Sequence, residues 1–338
     1  VRKDNDIKFE EVNALNDLAV GITTATGNGK FRIYEDSSSN FFDYTFGSDT
    51  WKKWLTPASH PIYSANKSKD GWKISFPDHE PQKLAFIGIR SCELKGIALL
   101  DKVYIQENNV DPGYKARREN LFVLSINCAV PDTNCFCTSL GTGPEVENGF
   151  DLNLTELDEC FLVNIGSEIG KLMLANVDYS LASGFATQLA EEKMAEAKAH
   201  IQRNIDIKPI PETILDKLDH EHWDKIAARC MSCSSCTLVC PTCFCWTVTD
   251  DFLFTGNHTQ RTKQWASCFN KDHSYHAGGH NRPSIKSRYR QWLSHKFSTW
   301  VEQFDELGCV GCGSCIIWCP AGIDIIEELE QIKEEVTA

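Results

Sequence analysis

Cysteine is the residue type in this 338-residue chain whose number and spacing point to chemistry, because 16 cysteines are present. Eight of them form two copies of one pattern, in which gaps of two, two and three residues separate four cysteines and a proline follows. The copies are Cys230, Cys233, Cys236, Cys240 and Pro241, and Cys309, Cys312, Cys315, Cys319 and Pro320. Neighbours this close are poor partners for a disulfide network and good ligands for a metal centre.

This spacing is typical of bacterial two-cluster ferredoxins, in which the fourth cysteine of each run ligates the other cluster. We therefore predict two [4Fe–4S] clusters with crossed ligands. Cluster one is assigned to Cys230, Cys233, Cys236 and Cys319, and cluster two to Cys309, Cys312, Cys315 and Cys240. Gly311 and Gly313 leave room for backbone N–H groups to approach the cluster sulfurs.

Zinc is the alternative metal for these cysteines. Zinc sites usually bring together two C-x-x-C pairs separated by a spacer, and they seldom place four cysteines so close together before a proline. If the metal is zinc, the chain is a zinc-stapled docking subunit, in which the metal stabilises the fold and has no redox activity.

Two apolar runs of strand length, 83–89 and 121–126, flank a segment with helical spacing at 93–103. This pattern predicts a β-α-β unit whose parallel strands are adjacent or nearly so. Cys92 directly follows the first run and Cys128 follows the second. Parallel strands end at the same edge of a sheet, so both cysteines are expected at that edge.

The loop after Cys128 adds Cys135 and Cys137, so four thiols are expected to converge on the sheet edge. We interpret Cys92, Cys128, Cys135 and Cys137 as the ligands of a third iron–sulfur cluster. The alternative is that the four cysteines are buried as small apolar residues.

Three more cysteines, Cys243, Cys245 and Cys268, have two interpretations. In one they complete another metal site with His276 or His280; in the other they pack around the two ferredoxin clusters. The last cysteine, Cys160, lies beside a predicted strand and is expected to be a buried small residue.

The rest of the sequence predicts short strands and loops over residues 1–79, a strand at 161–165, and helices at 168–175, 186–204, 219–228 and 323–336. The predicted fold class is an α/β amino-terminal domain, residues 1–210, with the additional cluster site. It is followed by an α+β two-cluster ferredoxin-like domain, residues 220–338, with a long insertion at about 246–308. The insertion is locally basic and is interpreted as a docking surface, a shield over the clusters or a solvated face.

Composition excludes several classes of function. A net charge of −13 argues against a nucleic-acid scaffold, which needs a clustered basic face. No apolar run approaches the roughly 20 residues that cross a bilayer, so no membrane span is expected. The charged start, residues 1–14, lacks the apolar stretch of a signal peptide, so we expect a cytoplasmic protein. Neither a Gly-x-Gly-x-x-Gly sequence nor a P-loop is present, and no arrangement of catalytic residues stands out.

The cysteine-rich segments resemble the iron–sulfur beta subunits of cytosolic NAD(P)-linked sulfhydrogenases, which are [NiFe]-hydrogenases, and the related electron-transfer subunits of anaerobic sulfite reductases. The matching segments, all from Lys83 onward, are 88–94, 134–137, 240–245, 264–268, 277–281 and 309–313. This combination is more specific than the ferredoxin spacing alone. Glu93 departs from the family pattern, which has Asp directly after the cysteine at the position of Cys92.

The resemblance implies a non-catalytic electron-transfer subunit of an oxidoreductase complex. In such complexes a flavoprotein subunit oxidises NAD(P)H, and the beta subunit passes single electrons to the small subunit of the [NiFe]-hydrogenase, which lies beside the large, catalytic subunit. In the sulfite-reducing relatives a sirohaem subunit takes the place of the hydrogenase. Electron transfer within an anaerobic sulfite reductase is therefore the alternative that the resemblance leaves open.

Overall fold

The computed structural model of the chain describes residues 1–3, 6–36, 40–78, 83–106 and 108–334. The amino-terminal part consists of short strands and loops, as predicted. Its elements are the strands Arg2–Lys3, Asp6–Ile7, Ile22–Gly27 and Lys30–Glu35, the 3-10 turn Leu15–Asp17 and the helix Lys52–Leu55. Ile22–Gly27 and Lys30–Glu35 form a hairpin. The tip of the hairpin lies against the second cysteine run, because the Gly29 N–H donates to the carbonyl of Ile316 (3.1 Å).

The predicted β-α-β unit is confirmed and lies in a four-stranded sheet. The strands, in spatial order, are Phe161–Ile165, Leu152–Glu156, Leu121–Ile126 and Leu84–Ile89. The last three run parallel, and Phe161–Ile165 is antiparallel at the edge. The crossover consists of the helices Ser91–Tyr104 and Pro112–Glu119, between which Ile105–Gln106 pairs with Asn109–Val110.

A second four-stranded sheet, antiparallel throughout, joins the insertion to the amino-terminal part of the chain. Its strands, in spatial order, are Trp246–Phe252, His258–Trp265, Ser59–Ser68 and Gly71–Ser75. The central pair, His258–Trp265 with Ser59–Ser68, brings together residues about two hundred positions apart in the sequence. The division of the chain near residue 210 stays a prediction.

The predicted helices are confirmed, with boundaries shifted by a few residues. The elements after residue 136, apart from the strands already described, are the helices Cys137–Leu140, Glu168–Leu174, Gly184–His200, Ile210–Asp216, His222–Arg229, Ser235–Leu238, Ile285–Ser294, Trp300–Phe304, Ser314–Ile317 and Ile325–Lys333, the 3-10 turn Lys271–Ser274, the π-helical turn His295–Thr299, and the paired strands Tyr275–His276 and Gly279–His280. Ser183 starts the helix Gly184–His200 earlier than predicted, since its hydroxyl accepts from the Ala186 N–H (3.1 Å). Residues 335–336 of the last predicted helix lie outside the described ranges.

The second half of the insertion belongs to the hydrophobic core around the cysteine runs. Trp292 and Phe297 are buried there, and Cys236 and Cys315 pack against the same core. Arg288 is buried too, so a solvated face is the wrong interpretation for this basic residue. In the ranges that the structure describes, no helix is both long and apolar enough to span a membrane.

Candidate metal centres

The two cysteine runs have the same backbone conformation. Each turns twice through residues with positive φ before a short helix begins. These φ angles are 53° at Ser232 and 72° at Ser234 in the first run, and 65° at Gly311 and 71° at Gly313 in the second. Alternating right- and left-handed residues point successive N–H groups into one concavity, which is the backbone arrangement of many iron–sulfur sites.

Backbone N–H groups point at the sulfurs that begin each run. The Ser232 N–H donates to Cys230 Sγ (3.4 Å), and the Gly311 N–H donates to Cys309 Sγ (3.5 Å). Burial raises the pKa of the Cys230 thiol, and the hydrogen bond from Ser232 opposes that rise. Such donors favour the thiolate that a metal requires and stabilise an anionic cluster.

The first run surrounds a pocket together with two cysteines of the second run, Cys315 and Cys319. The lining of this pocket includes Cys230, Cys233, Cys236, Cys315, Cys319, Phe269, Tyr289 and Trp292. Burial raises the pKa of the Cys236 thiol well above its usual value, and the neighbouring Cys230 and Cys319 add to the rise. Cys319 therefore faces the first run, as the crossed assignment requires.

The second run has the reciprocal arrangement with Cys240. Burial raises the pKa of Cys309 to about 12. Burial likewise raises the pKa of Cys315 well above its usual value, with further contributions from Cys309, Cys312 and Cys240. Cys240 is the exception among these thiols, because a hydrogen bond from Cys243 and the ammonium of Lys296 lower its pKa well below the usual value. Among Cys240, Cys309 and Cys315, Cys240 is thus the one whose surroundings favour the thiolate.

The four amino-terminal cysteines lie close together, as the β-α-β topology predicts. Burial raises the pKa of Cys135 well above its usual value, and Cys128 and Cys137 add to the rise. Burial acts in the same way on Cys92, with contributions from Cys312, Cys137 and Cys135. The structure therefore brings this quartet to one place and sets Cys312 beside it.

The quartet is packed directly against the second cysteine run. Cys135 Sγ lies 3.8 Å from the carbonyl oxygen of Cys312, and the Phe136 N–H donates to the carbonyl of Gly311 (2.9 Å). Thr142 Oγ1 donates to the carbonyl of Val310 (2.7 Å). These contacts join the amino-terminal sheet to the ferredoxin segment at the cysteines themselves.

Glu93 has a structural role at this edge of the sheet. Its carboxylate accepts from the Arg90 N–H (3.1 Å) at the start of the helix Ser91–Tyr104, which is one of the two hydrogen bonds of a capping box. Burial raises the pKa of Glu93 to about 7. Asp in the family pattern is one methylene shorter, and the longer Glu93 side chain still reaches the backbone here.

The remaining three cysteines lie near Cys236 and Cys240 of the first run, with a different histidine from those predicted. Hydrogen bonds with Cys268, the larger cause, and with His273 lower the pKa of Cys245 to about 4, against the opposing effect of burial. Cys243 pairs with Cys240. His276 and His280 face away, toward Asn281 and the carbonyl of Lys271 respectively (2.7 and 3.2 Å). The histidine beside the thiols is therefore His273, which sequence reasoning missed.

Three buried cations next to the cysteines were also missed. Lys296 Nζ lies 3.3 Å from Cys240 Sγ. Lys52 Nζ donates to the carbonyls of Cys240 (3.0 Å) and Cys243 (3.2 Å). The third cation is Arg90, whose guanidinium acts on Cys128. Burial raises the pKa of the Cys128 thiol, and the guanidinium of Arg90 opposes that rise. Only Arg90, two residues before Cys92, gave a positional signal in the sequence.

The expectation for Cys160 is wrong, because this cysteine is exposed. It lies in the turn between strands Leu152–Glu156 and Phe161–Ile165, where its carbonyl accepts from the Leu157 N–H (2.9 Å). A turn at the sheet edge keeps its side chain outside the core.

The donor groups fit iron–sulfur clusters better than a single ion. Among the described residues, no three His, Cys, Asp or Glu side chains converge closely enough to bind one metal ion. The irons of a cubane each take one thiolate, so its ligands stand apart around a cavity, as the cysteines lining the pocket of the first run do. The zinc-stapled alternative gains no support from this geometry. The division of the cysteines among individual clusters stays a prediction.

Comparisons with known proteins agree with this chemistry. Residues 229–323 match the 4Fe-4S dicluster domain family. The chain is similar to the sulfhydrogenase 2 subunit beta of Pyrococcus furiosus, with 31% identity over 340 residues, which cover 99% of this chain and 91% of that protein. No solved structure matches the chain. Because the similarity extends over nearly the whole of both proteins, the chain belongs to the family of sulfhydrogenase beta subunits.

Proposed function

We propose that the chain is a non-catalytic electron-transfer subunit that relays single electrons through [4Fe–4S] clusters. Two clusters are held by the crossed cysteine runs, and a third is held by Cys92, Cys128, Cys135 and Cys137. When bound, such clusters supply one-electron redox chemistry. The chain's own cysteines, amides and buried cations hold them and determine their surroundings.

The observation that carries this proposal is the unbroken series of thiols across the molecule. Cys233 is exposed at the end of the series formed by the first run. Cys236 and Cys315 line the same pocket, which links the two runs. Cys135 lies against Cys312, which links the second run to the quartet. A series that starts at the surface and passes inward through three thiol groups suits a relay between partner subunits.

The partners are proposed from the family to which the chain belongs. An NAD(P)H-oxidising flavoprotein subunit exchanges single electrons with the chain at one end, and the small and large subunits of a [NiFe]-hydrogenase do so at the other. The complex is proposed to be cytoplasmic. A flavin is needed because it converts a two-electron hydride into the single electrons that a cubane can accept.

We propose that the chain divides into two parts, each with its own clusters. Residues 1–210 form the part with the third cluster, and residues 220–338 form the two-cluster ferredoxin part with the insertion at about 246–308.

The test uses the full chain purified anaerobically without its partners. Dithionite should reduce its clusters, whereas NADPH should leave them oxidised until the flavoprotein subunit is added. Rapid reduction of the flavin-free chain by NADPH would contradict a purely relaying role.

Chains that co-purify from the source cells identify the terminal partner. Hydrogenase subunits support the proposal, and a sirohaem subunit would favour sulfite reduction instead. A colourless protein with zinc and without a broad absorption band near roughly 400 nm would point to the zinc-stapled alternative.

A further inference from the structure

Lys296 is a buried cation placed by an irregular turn of helix. The π-helical turn His295–Thr299 interrupts the helical segment between Ile285–Ser294 and Trp300–Phe304. Such turns shift the side chains that follow them and are frequent at functional sites. Here the turn carries a lysine whose exposed fraction is only 5% into the interior, next to the buried Phe297 of the hydrophobic core.

All three N–H groups of the Lys296 ammonium have partners, and one of these is a sulfur. Nζ donates to the carbonyl of Gly308 (2.6 Å), to Thr242 Oγ1 (2.9 Å) and to Cys240 Sγ (3.3 Å). No Asp or Glu of the described residues forms a salt bridge with it. A buried charge needs a counter-charge, and the thiolates around it, Cys240 foremost, are the anionic groups at this position.

We propose that Lys296 raises the reduction potential of the cluster that Cys240 ligates. This inference rests on the proposed function. Hydrogen bonds to cluster sulfurs and nearby positive charge are among the factors that set iron–sulfur potentials, because both stabilise the more negative, reduced state. Reduction adds one electron from an external donor to the cluster. No bond forms or breaks and no proton moves. Lys296 therefore acts only through its fixed positive charge and its hydrogen bond to Cys240.

Lys52 is a matched control, because it is a second buried ammonium beside the same cysteines. Its N–H groups reach the carbonyls of Leu238, Cys240 and Cys243 at 3.0–3.3 Å, and its Nζ lies 4.7 Å from the centre of the Trp265 ring. It therefore supplies charge without donating to a sulfur. Comparison of the two lysines separates the hydrogen bond to Cys240 from charge alone.

The experiment is a redox titration of the full chain, purified anaerobically and monitored by electron paramagnetic resonance with dithionite as the reductant. In Lys296→Met the potential of one cluster should fall by about 59 mV or more, the equivalent of a tenfold change in the equilibrium constant for one electron. The other potentials and the iron content should stay at their wild-type values. Lys296→Gln, which keeps a donor but no charge, should cause a smaller fall, and so should Lys52→Met.

The shifted signal should be the one that Cys309→Ser alters. An unmoved potential with normal iron content, or an equal fall in Lys52→Met, would overturn the inference. Loss of the clusters in both Lys296 variants would overturn it in favour of a purely structural role. A wild-type chain without reducible iron would overturn the proposed function itself, and this inference with it.

Discussion

Gly311 has no room for a side chain, because a Cβ atom there would lie 2.6 Å from the backbone nitrogen of Cys137. Gly313 meets the carbonyl oxygen of Asn134 at the same distance, 2.6 Å. The corresponding residues of the first run, Ser232 and Ser234, have similar positive φ angles and do carry side chains. The close approach of the amino-terminal quartet therefore explains the glycines of the second run, whereas the backbone conformation alone tolerates serine.

Gly311→Ala should destabilise the chain more than the same change at an open glycine. Gly141 is the control, since it has a φ of 64° and nothing within 4 Å of the added Cβ. The left-handed backbone alone should cost Gly141→Ala about 1–2 kcal/mol. Overpacking against Cys137 should bring the cost for Gly311→Ala to about 2–5 kcal/mol. Anaerobic thermal unfolding measures the difference, and equal melting temperatures for the two variants would argue against the close contact.

Replacement of both Cys135 and Cys137 with Ser should remove one cluster and spare the other two. The quartet is then left with two thiols, so the iron content should fall from about twelve to about eight atoms per chain, counting four per cubane. The signals of the ferredoxin clusters should persist. Cys160→Ser is the matched control, because Cys160 is exposed in a turn and should leave the iron content unchanged. If the double substitution left the iron content unchanged, the hypothesis of a third cluster would be rejected.

The sequence predicted those elements whose apolar pattern is simple. Leu84–Ile89 and Leu121–Ile126 are continuous apolar runs, and both form central parallel strands. The strand Leu152–Glu156 was missed because it is short and three of its five residues are polar, so it has no continuous apolar run. In the structure the side-chain oxygen of Asn153 accepts from the Ser125 hydroxyl (2.9 Å), a partner on the neighbouring strand that the local sequence does not reveal.

Site residues were predictable where ligand spacing is local and not where tertiary contacts bring them in. The cysteine runs and the quartet follow from spacing and from strand topology. Lys52 and Lys296 come from segments far from their sulfur neighbours in sequence, and ordinary lysines are expected at the surface. The choice of His273 over His276 depends on the fold of the insertion, which no periodic pattern marks.

The buried carboxyl of Glu93 should make stability depend on pH in a definite direction. Its pKa is raised from 4.5 to about 7 by burial, so the folded chain binds a proton there that the unfolded chain loses. Stability should therefore fall as pH rises from about 4.5 to about 7, by up to about 3 kcal/mol. Glu93→Gln keeps an oxygen for the Arg90 N–H but does not titrate. Melting temperatures across this range should therefore fall less steeply in the variant, and identical slopes would exclude Glu93 as the cause.

The proposed crossed assignment gives Cys319 and Cys240 each three fellow ligands from the opposite run, which single substitutions can test. Cys319 faces the first run, so Cys319→Ser should alter the same paramagnetic signal as Cys230→Ser. Cys240 faces the second run, so Cys240→Ser should alter the same signal as Cys309→Ser. Each substitution replaces one of four thiolates, which should shift the potential of its own cluster far more than that of its neighbour. Titration of the four variants under anaerobic conditions compares the pairs directly. If Cys319→Ser matched Cys309→Ser instead, each cluster would take all its ligands from one run and the crossed assignment would be wrong.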